Sequence, residues 1–368
     1  MITAVRDRSR SKTRRVITAV VALAAASTLA LSGCAASGGD GSPSASGDAS
    51  GTPDLGTLKV VTFLPLQSFT FTPEMYGVAS GIFKQHGLDV DLESVNGTPA
   101  AIQAVVSGAA DISRVDTTDF LPAAEKGQPI VAVGVQAFKS NLRLISTSSD
   151  PLNDASDLEG KTIGMGSIGG TSNKILDFAI QSAGVSVDSV TPQVVPVTAA
   201  TYSLVQQGQL AGYIVSLDTS IQIAQANSDA VVSTVGMEKF PDHQVWFVNT
   251  DSLKDPKKLA QIKAYLAAVT ETTQAIVADS ANDFSNVLKA IRDQGDWQFA
   301  ALDDDKTAVA ALKQYTTKTW VDPDGKLDIE HEDPAIWSDI YEEYVKLGLV
   351  TGSIDPAKYF DDQYLPTS

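Results

Sequence analysis

The residues best suited to bind a small molecule stand in five short loops, each shortly after a predicted strand. These loops occupy residues 67–71, 96–98, 116–118, 167–172 and 216–219. In open α/β sheets, ligands bind beyond the carboxyl ends of the strands, beside helix N-termini. The sequence therefore predicts one binding site, with these candidate ligand-binding residues: Gln67, Phe69, Phe71, Asn96, Gly97, Thr98, Arg114, Asp116, Thr117, Ser167, Gly170, Thr171, Ser172 and Asp218.

Two of the loops offer different ligand chemistry. The stretch Gly169-Gly170-Thr171-Ser172 lets backbone N–H groups approach an anionic oxygen at a helix start, although an ordinary turn with a capped helix has the same pattern. Phe69 and Phe71 could sandwich a planar ring, or they could pack beneath their own loop.

Two charged residues also have alternative interpretations. Arg114 lies in a buried strand and needs a partner, either a ligand carboxylate or sulfonate or a structural pair with Asp111, Asp116 or Asp119. Asp218 stands at a strand end, where it could accept hydrogen bonds from a heterocyclic amino group or cap a helix.

Residues that could perform catalysis are sparse. The three histidines are His86, His243 and His331, and no zinc-protease motif, cysteine pair or Gly-x-Ser-x-Gly elbow accompanies them. The acidic stretch 322–325 lacks full EF-hand spacing. We therefore expect no catalytic residue, no metal site and no cofactor.

The N-terminus has the pattern of an export signal. Six basic residues before position 16 precede an uncharged apolar run over 16–31, which is short for a membrane span. The tetrad Leu31-Ser32-Gly33-Cys34 resembles the lipobox of bacterial lipoproteins, which implies cleavage before Cys34 and lipidation of its thiol. Residues 1–33 are thus a predicted signal peptide, and the Gly/Ser-rich residues 34–57 a flexible tether to the outer face of the cell membrane. Because Cys34 is the only cysteine, no disulfide can form within the chain.

Charge and length restrict the function of the remaining body. The whole chain carries a formal charge of −17, and removing the basic leader makes it more acidic still. This charge argues against nucleic acid and against docking on anionic lipid. About 310 residues follow the tether, which suits two lobes better than one core.

The predicted elements alternate between strands and helices. Strands near 58–63, 88–92, 111–115, 130–135, 161–165, 193–197 and 210–215 are separated by helices, which indicates an α/β fold with mainly parallel sheets. Two segments, 101–112 and 202–213, share the order helix, glycine, strand, and this suggests two similar lobes. After residue 248 the pattern becomes mainly helical, with helices predicted at about 255–277, 284–293, 306–316 and 334–347.

Three spaced motifs carry a family resemblance: 76–90 (YGVASGIFKQHGLDV), 107–112 (SGAADI) and 157–164 (DLEGKTIG). They resemble the nitrate/sulfonate/taurine and thiamine-pyrimidine-precursor family of ABC-importer binding proteins. The resemblance implies a type-2 periplasmic binding fold, with lobe 1 at 58–140 and 245–368, lobe 2 at 141–244, and the ligand in a cleft between them.

The lead hypothesis is a monomeric lipoprotein that captures a small polar solute, sulfonate- or nitrate-like, aromatic or pyrimidine-like, for ABC permease subunits. One alternative is an enzyme on the same fold that acts on a pyrimidine-like substrate. Another is a surface interaction or signalling lipoprotein with a degenerate cleft.

Overall fold

The computed structural model describes residues 53–321 and 331–366. The predicted signal peptide and Cys34 lie outside these residues.

Ten strands and twelve α-helices occur within the described ranges, in an alternating order that ends in helices. The strands are β1 (Gly56–Thr62), β2 (Leu88–Ser94), β3 (Ile112–Asp116), β4 (Ile130–Ala137), β5 (Leu142–Thr147), β6 (Thr162–Met165), β7 (Thr191–Val194), β8 (Gly212–Ser216), β9 (Ala230–Ser233) and β10 (Gln244–Asn249). The helices are α1 (Thr72–Ala79), α2 (Ile82–Gln85), α3 (Thr98–Val106), α4 (Thr117–Glu125), α5 (Thr171–Ser182), α6 (Tyr202–Gln206), α7 (Leu217–Ala226), α8 (Pro256–Ala278), α9 (Ser285–Gln294), α10 (Ala300–Asp303), α11 (Asp305–Gln314) and α12 (Pro334–Lys346).

The strands form two five-stranded sheets of matching topology. The first has the order β2-β1-β3-β10-β4 and the second the order β7-β6-β8-β5-β9. In each sheet four strands share one direction, and a single strand, β10 or β5, runs antiparallel to both neighbours. Each antiparallel strand is the first one after the chain arrives from the other sheet. The predicted two-lobed α/β fold with mainly parallel sheets is confirmed.

The first sheet is covered on one face by the long helix α8. Asp255 caps this helix, and its carboxylate accepts hydrogen bonds from the backbone N–H groups of Lys257 and Lys258. The face of α8 that packs on the sheet buries Tyr265, whose ring stacks on Phe83 at 5.1 Å and meets Trp246 edge-on at 5.3 Å. These aromatic contacts anchor α2 and α8 to the central strand β10.

The helices after residue 284 contact both lobes. Helix α11 packs against α7 of the second lobe, and Thr307 on it donates to Gln225 at 2.9 Å. Helix α12 packs near the first sheet, where Trp337 lies 6.0 Å from Phe120. The C-terminal segment therefore contacts helices of both lobes.

Candidate functional site

The loops predicted from the sequence meet between the lobes, and the first meeting point is the carboxylate of Asp119. Thr98, at the start of α3, donates to its Oδ2 at 2.5 Å. From the second lobe, Thr171 donates to the same oxygen at 2.7 Å, and Lys174 reaches Oδ1 at 2.5 Å. Helices α3, α4 and α5 point their N-termini at one place because each follows the carboxyl end of a strand. We call these four residues the Asp119 cluster.

A second meeting point lies at Asp218, in the first turn of α7. Ser68, in the loop after β1, donates to its Oδ1 at 2.9 Å, and the Tyr315 hydroxyl donates to the same oxygen at 3.2 Å. Asn141, on the link between the sheets, donates in turn to the Tyr315 hydroxyl at 3.1 Å. Asp218 is only 1% exposed, and this burial raises the pKa of its carboxyl group.

Carboxylates dominate the space around the Asp119 cluster. Asp116 and Asp242 are each 4% exposed. Burial, helped by the neighbouring charge of Asp119, raises the pKa of Asp116 to about 6. Burial and the charges of Asp116 and Asp119 raise the pKa of Asp242 well above its usual value. Within residues 53–321 and 331–366, Oδ1 of Asp242 has no hydrogen-bond partner. We call Asp116, Asp119 and Asp242 the acidic face.

Arg114 is engaged inside the first lobe. Its Nε donates to Glu74 Oε1 at 2.8 Å, Nη1 donates to Gln244, and Nη2 donates to the carbonyl oxygen of Thr70 at 2.5 Å. Both charged side chains are 1% exposed. The partner is thus Glu74 of α1, which the sequence had not indicated, and not one of the three aspartates considered there.

The two phenylalanines of the first loop are fully buried. Phe71 lies 5.1 Å from the Arg114 guanidinium and 5.3 Å edge-on from Phe63. Phe69 meets Phe299 edge-on at 5.2 Å. In this structure both rings pack against protein groups.

Six other residues of the predicted site fall into two groups, exposed and partly buried. Gln67, Asn96 and Ser167 are exposed, whereas Gly97, Gly170 and Ser172 are partly buried. Gly97 has a φ of 95°, a conformation that glycine adopts readily, and Gly170 is the N-cap of α5. These six lie on the predicted loops, but no side-chain contact joins them to the Asp119 or Asp218 meeting points.

Thr117 connects the site to the C-terminal helices. Its hydroxyl lies 2.7 Å from the hydroxyl of Tyr344, which donates to the carbonyl oxygen of Pro241 at 2.8 Å. Beside them, His243 Nδ1 lies 2.6 Å from Glu332 Oε2, and both side chains are buried.

The sequence prediction missed six residues of the site: Ser68, Asp119, Lys174, Asp242, Tyr315 and Tyr344. Ser68 and Asp119 stood within or directly beside predicted loops, and Lys174 lies in the first turn of α5, just after the predicted loop 167–172. Asp242, Tyr315 and Tyr344 had no local signal, since they arrive from the returning link and the C-terminal helices.

Two kinds of feature are absent from the described ranges. No group of three His, Cys, Asp or Glu side chains there is placed to hold a metal ion. No helix in those ranges has the length and apolarity to cross a membrane.

Comparison with known sequences identifies one family. The family described as NMT1/THI5 like matches residues 68–282, which is more than half of the chain. None of the curated protein sequences compared with the chain is significantly similar to it.

Solved structures share the fold at low sequence identity. The alkanesulfonate-binding protein SsuA from Xanthomonas axonopodis pv. citri, bound to MOPS, superposes with a TM-score of 0.61 at 11% identity, over 83% of this chain and 98% of its own. The periplasmic nitrate-binding protein NrtA from Synechocystis PCC 6803 has a TM-score of 0.61 at 15% identity, over 84% and 86%. The desulfurization enzyme DSZB has a TM-score of 0.56 at 11% identity, over 84% and 97%. At these identities the likeness shows the fold alone.

Proposed function

The chain belongs to the NMT1/THI5-like family, and from that premise we propose that it is the extracytoplasmic substrate-binding component of an ABC importer. It captures a small polar solute between its lobes and delivers it to the permease. One observation carries this proposal: polar side chains from both lobes, buried or partly buried, converge at Asp119 and Asp218. Ligand sites in two-lobed α/β proteins form where the loops at the strand ends meet in this way.

The connections between the lobes suit a closing motion. The chain passes from the first sheet to the second between β4 and β5, and it returns between β9 and β10. The contacts at Asp119 and Asp218 are hydrogen bonds and one ion pair, which water can replace when the lobes separate at these points. A solute that bonds to both lobes would shift this equilibrium toward closure.

The candidate solutes follow from the family and from the loops. Two of the structural neighbours bind an alkanesulfonate and nitrate, while the aromatic and pyrimidine-like classes come from the sequence resemblance. The carboxylates and hydroxyl groups that line the cleft of this chain decide among these solutes, and the experiments below distinguish them.

The first experiment is native mass spectrometry of the tag-free body from Thr57 onward, purified gently from its own host and then denatured to release any bound molecule. We expect one molecule per protein, recovered chemically unchanged, and a monomer. A thermal-shift series with sulfonates, nitrate, pyrimidines, aromatic acids and amines extends the test. An empty protein with no shift in any class would overturn the proposal and favour a surface interaction role.

The closing motion has its own test in small-angle scattering. We expect the radius of gyration of the wild-type protein to fall when the identified solute is added. Lys174→Met removes the ion pair between the lobes, so this variant should be more open without solute. The exposed Lys254→Met variant, which loses a surface ion pair within one lobe, is the matched control.

The membrane anchor is proposed through Cys34. In the host, the wild-type protein should fractionate with membranes and carry a lipid mass on its N-terminal residue. A Cys34→Ala variant should lose that lipid mass and fractionate as precursor or free protein. An unlipidated, soluble wild-type protein would refute the anchor and leave the binding proposal intact.

An enzyme on the same fold is the second candidate, since DSZB shares the architecture. The two functions differ in what happens to the bound molecule. Repeated conversion of the identified solute, in the absence of other enzymes, would favour the enzyme. Release of unchanged solute supports transport.

A further inference from the structure

We infer that the solute is a small organic cation whose N–H groups donate to Asp242 and Asp116 of the acidic face. This inference rests on the proposed binding function and narrows its ligand class. The argument uses the charges around the cleft, one unpartnered oxygen and the neighbouring aromatic rings.

Carboxylates exceed cations in this part of the cleft. The acidic face contains three, and Lys174 is bonded to one of them, Asp119. The nearby Arg114 is already paired with Glu74. Arg143 donates to its neighbour, the carbonyl oxygen of Leu142, and interacts with Tyr315 and Glu238. No cation of the described residues is therefore bonded to Asp116 or Asp242.

One oxygen of the acidic face lacks a partner. Asp242 is 4% exposed, and its Oδ1 has no hydrogen bond from any residue in 53–321 or 331–366. The hydroxyl of the fully buried Thr118, beside Asp119, also lacks a partner within those ranges. An unpaired buried carboxylate is costly, and a charged N–H donor is the group that best satisfies it.

The chemistry of the acidic face also opposes an anionic ligand. A sulfonate or nitrate placed beside Asp116 and Asp242 would be repelled whenever either carboxyl group is ionised, in a region screened from water. The same oxygens attract a cation, and they select it over a neutral molecule of equal shape.

Aromatic rings stand beside the acidic face. Phe240, two residues before Asp242, stacks on Tyr344 at 5.4 Å and meets Phe178 edge-on at 4.8 Å. The Tyr344 hydroxyl donates to the carbonyl oxygen of Pro241, the residue before Asp242, at 2.8 Å. These packed rings form an apolar wall beside the carboxylates, and such a wall suits the apolar part of an aromatic or aliphatic amidinium or guanidinium compound.

The test is isothermal titration of the mature protein with two cationic probes, benzamidine and agmatine. Benzamide, which matches benzamidine in shape but is neutral, is the probe control, and benzenesulfonate and nitrate represent the anions. We expect benzamidine or agmatine to bind at one site and benzamide to bind at least about tenfold more weakly.

Variants locate the binding. Asp242→Asn keeps the shape of the side chain and should weaken the cationic probe about tenfold or more. Asp188→Asn, at an exposed position, should leave the affinity unchanged. Circular dichroism and urea midpoints of both variants show whether each remains folded, and Asp116→Asn repeats the test if Asp242→Asn is unfolded.

The outcomes separate this inference from the proposed function. If benzenesulfonate or nitrate binds and neither benzamidine nor agmatine does, the inference is overturned and the proposed binding function remains in place. If benzamidine binds equally well to the Asp242→Asn variant and to the wild-type protein, Asp242 is not the residue that accepts its N–H groups. If no probe binds and the host-purified protein releases no molecule, both the binding function and the cationic ligand class are overturned.

Discussion

Replacing Glu74 by glutamine decides whether Arg114 is held by the protein or is available to a ligand. The Arg114 Nε and Glu74 Oε1 are 2.8 Å apart, and both side chains are 1% exposed. Two unit charges at that distance attract by about 6 kcal/mol at an effective dielectric of about 20. The side-chain amide of the Glu74→Gln variant would keep an acceptor, and Gln244 and the carbonyl oxygen of Thr70 would still accept from the guanidinium. We therefore expect the free energy of unfolding to fall by about 3 kcal/mol, the lower end of the range for a broken buried pair.

The assay is urea denaturation of the mature protein followed by fluorescence and circular dichroism, with the slope against urea checked for constancy. Asp251→Asn, which removes one partner of an exposed ion pair with Lys254, is the matched control and should change the urea midpoint little. The double variant Glu74→Leu/Arg114→Met replaces the pair with apolar side chains and should regain most of the loss. A fall below about 1 kcal/mol, together with weakened solute binding, would refute the structural assignment of Arg114.

Three further predictions concern packing, hydrogen bonding and pH. The Gly77→Ala variant would place a Cβ against the ring of Phe83, closer than van der Waals contact allows. Its free energy of unfolding should therefore fall by about 1–3 kcal/mol in the same urea assay. An unchanged urea midpoint would contradict the close approach of α1 and α2. Tyr344→Phe removes the hydroxyl that meets Thr117 and should cost about 1–2 kcal/mol by thermal or urea unfolding, whereas a neutral result would argue against this bond. Because the pKa of Asp116 is raised to about 6, the native protein keeps a proton that the unfolded chain releases, so stability should fall as pH rises from about 4 to about 6. Asp116→Asn should flatten that dependence of the urea midpoint, and an equally steep dependence in the variant would count against the assignment.

Much of the fold could be predicted because its signals are local. The Asp-Pro start of α8 depends on residues within one helical turn, and the structure has this helix at Pro256–Ala278, close to the predicted 255–277. The repeated pattern of helix, glycine and strand also has a structural counterpart. Gly108 and Gly208 both have positive φ and lead into β3 and β8, which hold the same third place in their sheets. The alternation of strands and helices predicted that most strands would run parallel to one another.

The sequence determined the loops of the site because loops at the carboxyl ends of parallel strands meet at one edge of a sheet. It could not assign partners within them. Arg114 bonds to Glu74, 40 positions away, and to Gln244, 130 positions away, while the nearer Asp111 and Asp119 pair with Lys258 and Lys174. Such pairs depend on how helices pack against a sheet, which no local pattern specifies.

Only the tertiary structure decided the electrostatic character of the cleft. Composition showed an acidic chain, but acidic residues are ordinarily solvated on the surface. Folding instead buries Asp116, Asp218 and Asp242, and packs Tyr344 beside Asp242. Burial removes water from a carboxyl group and so raises its pKa. Which carboxyl groups are buried depends on how the two lobes pack, and the local sequence does not specify this.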